Sequence, residues 1–153
     1  MSRVRTTITL SKTFAFEAAH RIAKGYNKKC RNIHGHSWNG EICIVCNQLD
    51  NYGMGVDFNV LQKFLNTIVD YFDHKLILYK GDKDLISLCK ASDLEVVVFD
   101  DENPTSERVA KYIYKKATLY FDKSQLDCRV KSVMISETCT SKCVWAESVE
   151  GLC

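Results

Sequence analysis

The stretch TTITLSKTFAFEAAH, residues 6–20, decides the architecture. Thr6, Ile8, Leu10, Phe14, Phe16 and Ala18 share one parity, mostly polar residues separate them, and His20 continues the same side. Successive side chains of an extended chain point to opposite faces, so the pattern predicts one long, half-buried strand. Gly25 to Ile33 is basic and polar and reads as a loop. A second strand is expected from His34 to about Gln48, with Trp38, Ile42, Ile44 and Cys46 on one face. Asn51-Tyr-Gly-Met-Gly55 breaks it.

Beyond this pair the period changes. Asp57 offers a helix cap, and Phe58, Leu61, Phe64, Leu65, Ile68 and Phe72 follow at helical spacing, so a helix should end near Asp73. Leu76 to Tyr79 is short and apolar, the charged stretch from Gly81 to Asp93 has room for a small helix, and Glu95 to Asp100 carries a buried-strand signal. Asn103-Pro104-Thr105-Ser106-Glu107 opens a second long helix, in which Val109, Tyr112, Ile113, Lys116 and Tyr120 set the inward face. Strands near Arg129–Glu137 and Cys143–Ser148 close the chain. Hairpins separated by helices predict an α+β domain with an antiparallel sheet and helices on one face.

The 153 residues suit a single domain, 1–153, burying roughly 70% of its unfolded surface. A net charge of +2, with basic residues spread along the chain, argues against a nucleic-acid or membrane partner. Met1 to Leu10 lacks the apolar core of a secretory signal, so a cytoplasmic location is expected, with the eight cysteines as reduced thiols.

Three of the four histidines can meet. His34 and His36 lie two apart on a strand, hence on one face, and His20 ends the neighbouring strand. Three neutral imidazoles with an open fourth position are the ligand set of a catalytic zinc. Gly35 between them fits a close approach of backbone to a ligand or neighbour. Cys30 has three readings: a fourth ligand that closes the tetrahedron, a base or nucleophile favoured by Lys28, Lys29 and Arg31, or a buried thiol. The Lys28-Lys29-Cys30-Arg31 run suits either a phosphorylated substrate or solvent. Asp73 and His74 can cooperate only if the helix ends there and Asp73 turns back; otherwise His74 merely caps a helix dipole. Glu137 continues the inward parity of Val133 and Ile135, so its carboxylate needs a partner, either a substrate edge or a structural cation.

Together, Phe16-Glu17-Ala18-Ala19-His20, Cys30-Arg31-Asn32-Ile33-His34-Gly35-His36, Asp73-His74-Lys75, Asn103-Pro104-Thr105-Ser106-Glu107 and Glu137-Thr138-Cys139-Thr140 resemble the family of 6-pyruvoyl-tetrahydropterin and 6-carboxytetrahydropterin synthases. The five blocks span nearly the whole chain in the family's order. The resemblance implies that His20, His34 and His36 bind Zn2+ and that Cys30 is the catalytic proton acceptor. It implies that Asp73 and His74 form a relay, and that Glu137 anchors the pterin's amino-pyrimidine edge with Thr105, Ser106 and Glu107. It further implies the tunnelling fold, a four-stranded antiparallel sheet with two helices on one face. Such sheets join edge to edge into a barrel as trimers or hexamers, which also removes exposed sheet edges.

The Glu-Thr-Cys-Thr and Asn-Pro-Thr-Ser-Glu blocks look like the 6-carboxytetrahydropterin branch, which feeds queuosine synthesis. That branch is a lyase acting on 7,8-dihydroneopterin triphosphate, releasing acetaldehyde and triphosphate. The alternatives are 6-pyruvoyl-tetrahydropterin synthesis, zinc-activated hydrolysis with a structural Cys30, and a pterin- or purine-binding module with a structural zinc. One departure stands out: Leu76 to Asp101 is longer than in compact members, extending a loop or reshaping the pocket rim.

Overall fold

The computed structural model describes residues 7–100 and 102–147. Its first two strands, β1 (Ile8–His20) and β2 (His34–Cys46), form an antiparallel hairpin whose register sets His20 opposite His34, Ala18 opposite His36 and Phe16 opposite Trp38. The even positions of β1 face inward as the alternation predicts; Thr6 lies outside the described residues. At Gly40 the Phe14 ring lies across the hairpin where a side chain would stand, 2.2 Å from a Cβ there, so a larger residue would have to displace that ring. The connecting loop contains one 3-10 turn, Lys29–Arg31.

Helix α1 (Phe58–Phe72) starts where the Asp57 carboxylate accepts from the Asn59 amide at 2.8 Å and ends at Asp73. Helix α3 (Ser106–Lys123) begins just after Pro104. Its buried face is Val109, Ala110, Ile113, Tyr114, Ala117 and Phe121, while Lys116 is exposed. The buried face is therefore rotated from the expected one: Tyr112 and Tyr120 flank the core rather than centre it. Both helices share one core with Phe16, Trp38, Ile42, Val133 and Ile135, so they cover the same sheet face.

The sheet departs from the expectation of four antiparallel strands. It is mixed and has six strands, in the order β4 (Val96–Phe99), β3 (Lys75–Tyr79), β1, β2, β5 (Cys128–Thr138) and β6 (Ser141–Trp145). Strands β5 and β6 form the second hairpin, joined by a two-residue turn; the expected end at Ser148 lies outside the described residues. The added strands come from the long stretch after Asp73. There β3 (Lys75–Tyr79), helix α2 (Lys83–Ala91) and β4 (Val96–Phe99) form a βαβ unit whose crossover makes β4 parallel to β3. β3 also runs parallel to β1, with Ala18, Ala19 and His20 opposite Lys75, Leu76 and Ile77. The described part of this stretch, 76–100, thus extends the sheet and brings Leu94 and Glu95 to the rim of a cleft, while Asp101 lies outside the described residues. No helix among the described residues is long and apolar enough to cross a membrane. The seven cysteines described are free thiols.

Candidate metal centre and flanking clefts

His20, His34 and His36 converge because the hairpin register places them on adjacent strand ends with one parity. One ligand atom from each lies within 4.8 Å of the other two, and the Nε2 atoms of His20 and His34 are 3.1 Å apart. A tetrahedral zinc with bonds of about 2.0–2.1 Å needs nitrogens about 3.3 Å apart, so the spacing fits. The tautomers fit as well. His20 Nδ1 donates to the Pro104 carbonyl at 2.7 Å and His34 Nδ1 donates to the Asn32 carbonyl at 2.8 Å. A carbonyl only accepts, so both Nδ1 atoms carry the proton and both Nε2 lone pairs face the cluster. His36 Nε2 is buried and has no hydrogen-bond partner among the described residues, an orphan that an ion would satisfy.

A buried indole packs against the imidazoles. Trp38 is fully buried, donates from Nε1 to the Ala18 carbonyl at 3.0 Å, and sets its ring centroid 5.0 Å from His20 and 5.5 Å from His36. Burial pushes the His20 pKa down to about 4; the Pro104 carbonyl opposes this, and His34 and His36 add to it. The ring is therefore neutral at physiological pH, the form that binds metal.

Two clefts of about 560 Å³ flank the cluster and share Gly35, His36 and Ser37. A Cβ at Gly35 would meet only the Ala18 carbonyl oxygen, at 3.8 Å, so no crowding neighbour explains this glycine; it leaves room on the cleft side. The first cleft runs past Glu17 to His74, Leu94 and Glu95. At its rim α1 ends, His74 takes a left-handed φ of 56°, and Asp73 turns back. Asp73 Oδ1 accepts from the Glu17 amide at 2.8 Å, and Oδ2 accepts from His74 Nδ1 at 2.7 Å. The Glu17 amide, followed by the His74 ring, holds the Asp73 carboxyl below its ordinary value. His74 itself is largely exposed, which leaves its Nε2 open to the cleft.

The second cleft contains Glu137, Cys139 and Lys142. Burial raises the Glu137 pKa and nearby Glu107 raises it further, while His36, His34 and the Ser106 amide pull it back. Glu107 is held low, first by the Thr105 hydroxyl and then by its own amide at the start of α3. Thr105 lines a separate 270 Å³ recess with Lys24, Asn103 and Arg108.

Cys30 sits in the 3-10 turn, and its carbonyl accepts from the Ile22 amide at 2.8 Å, closing the loop two residues past His20. Its thiol is not part of the convergent ligand group and lines neither cleft. Tyr26 is its neighbour: burial and then the thiol's hydrogen bond raise the phenol pKa. Sequence reasoning missed the Pro104 and Asn32 carbonyls, which carry no side-chain signal, and Trp38 as the floor. It also missed the Arg21–Asp82 pair, in which the guanidinium fork donates to both carboxylate oxygens at 2.6 Å.

A sequence profile for 6-pyruvoyl tetrahydropterin synthase matches residues 9–148. The chain belongs to this family. Among its relatives, the 6-carboxy-5,6,7,8-tetrahydropterin synthase of Rickettsia bellii is 36% identical over 107 residues, 69% of this chain and 77% of that protein. The enzyme of the same name from Bacillus subtilis is 31% identical over 145 residues, 94% of this chain and 88% of that one. The fold is shared with solved structures. The Caenorhabditis elegans 6-pyruvoyl tetrahydropterin synthase superposes with a TM-score of 0.68 at 24% identity, covering 97% of this chain and 100% of that one. The Plasmodium vivax 6-pyruvoyl tetrahydropterin synthase gives 0.72 at 18% identity, covering 94% and 99%.

Proposed function

We propose that the protein is a zinc-dependent lyase converting 7,8-dihydroneopterin triphosphate and water to 6-carboxy-5,6,7,8-tetrahydropterin, acetaldehyde and triphosphate. The observation that carries this choice of product is the name shared by relatives 36% and 31% identical to it. The imidazole cluster supports it chemically, since His20 and His34 have their outer nitrogens tied to carbonyls and the buried His36 Nε2 lacks a hydrogen-bond partner among the described residues, which leaves three ring nitrogens for a divalent ion.

A zinc ion held by His20, His34 and His36 supplies Lewis-acid polarisation of a substrate oxygen. Glu137, beside His36, anchors the amino-pyrimidine edge as a carboxylate; Ser106, Thr105 and Glu107 at the start of α3 orient it. Cys30, whose carbonyl closes the loop two residues past His20, accepts a carbon-bound proton of the side chain. His74 exchanges a proton at Nε2 while Asp73 fixes the ring through Nδ1. Lys28, Lys29 and Arg31, exposed on the same loop, hold the triphosphate. The outer strands β4 and β6 give two edges on which copies of the chain pair into trimers or hexamers. The whole chain acts as one cytoplasmic domain whose product feeds queuosine synthesis.

Incubating the zinc-loaded protein with dihydroneopterin triphosphate and identifying the products by mass spectrometry tests the reading. Acetaldehyde with 6-carboxytetrahydropterin supports it. A 6-pyruvoyl product without acetaldehyde replaces it by elimination alone. Binding without turnover leaves a pterin-binding module with a structural zinc.

A further inference from the structure

We infer that Asp82 and Asn103 are positioning residues for the metal centre, forming a two-point clamp on the chain segment that leaves His20. The inference rests on the metal-binding reading of the three histidines. Residues 21–24 carry β1 out of the sheet, and nothing in their sequence pattern fixes their path. The structure fixes it twice, each time from a distant segment.

The first point is Arg21. Its Nε and terminal nitrogen donate to both oxygens of Asp82 at 2.6 Å, 61 residues away. Asp82 is 8% exposed and starts α2, so the added βαβ unit is tied to the residue that follows His20. A bidentate guanidinium–carboxylate pair fixes orientation as well as distance, which a single bond does not. The second point is Asn103. Its Nδ2 donates to the Lys24 carbonyl and its Oδ1 accepts from the Lys24 amide, both at 2.8 Å. Asn103 precedes Pro104, whose carbonyl takes the His20 Nδ1 proton. The Asn103 staple therefore brings that carbonyl into register with the ring, while Arg21 fixes where the ring's backbone leaves the strand. Ligand placement must hold to about 0.5 Å for a metal site to keep its affinity. Neither residue touches the metal; both act through their neighbours.

The test is zinc affinity, read by competition with a chromophoric chelator, for wild type, Asp82→Asn, Asn103→Asp and a control, Asp100→Asn. The control breaks the exposed Lys80–Asp100 pair. Supporting-shell changes cost up to 10–100-fold in metal affinity, and these act one step further out, so about 3–10-fold weaker binding is expected in both test variants. The control should bind like wild type. A merely structural tie would lower the melting temperature of the metal-free protein and leave the affinity within twofold; that result in either variant overturns the two-point clamp. Should Asp82→Asn fail to fold, Arg21→Lys keeps the charge without the fork and takes its place. A wild-type protein with no measurable zinc binding would take down the metal reading and the clamp with it.

Discussion

Lowering the pH should destabilise the metal-free protein through His20 in particular. The unfolded chain takes a proton at this ring below its ordinary 6.5, whereas burial keeps the folded ring neutral down to about 4. Stability is thus intact above pH 6.5, falls across the window from 6.5 to 4, and loses nothing further from this group below it. The separation of about 2.5 pK units corresponds to about 3 kcal/mol when complete, and to about 2.5 kcal/mol at pH 4.5. Other groups titrate in the same range, so the informative quantity is a difference. Urea denaturation of chelator-treated wild type and His20→Gln, at one protein concentration, would be followed from pH 7.5 to 4.5. Glutamine cannot take up the proton, so the stability gap between the two should narrow by about 2.5 kcal/mol over that range. Parallel pH profiles, with a gap constant to about 0.5 kcal/mol, would refute the assignment of a buried neutral ring.

Cys30→Ala should bind zinc like wild type and lose at least about a hundredfold in turnover, as expected for a general base, whereas His34→Ala should lose the metal; metal analysis beside steady-state kinetics separates the two. Equal metal loss in both would make Cys30 a ligand. Glu137 has a raised pKa, so the anionic form that pairs with the substrate edge accumulates only as pH climbs past the usual carboxylate value. Substrate affinity should rise along that limb, and Glu137→Gln should flatten it in a KM-against-pH profile. Trp38→Ala removes a fully buried ring beneath the imidazoles. It should cost roughly 3–5 kcal/mol in chemical denaturation and weaken zinc binding as the floor relaxes.

Particular residues explain what the sequence revealed and what it hid. The β1–β2 hairpin was legible because its parity runs from Ile8 to His20, interrupted only by Lys12, and resumes at His34; that parity, with the pairing register, brings three imidazoles to one place. The Asp57 cap and the end of α1 were legible because caps have a local chemistry. The parallel pair β3–β4 was not, since Leu76–Tyr79 is a short apolar run without a period, and its direction depends on a crossover through α2. The face of α3 was misjudged where Tyr and Lys compete with Ala for the inward side: Ala110 and Ala117 admit close packing against the sheet. In the site, Asp73 and His74 met by a turn that sequence could only pose as a condition. Carbonyls of Asn32 and Pro104, and pairs separated by 61 or 79 residues, leave no pattern to read.

Metal content bears on the central claim most directly. Protein purified without added zinc and passed through a desalting column should carry close to one equivalent of divalent ion per chain by elemental analysis. His36→Ala should carry almost none. A metal-free wild type whose pterin chemistry survives exhaustive chelation would contradict the account.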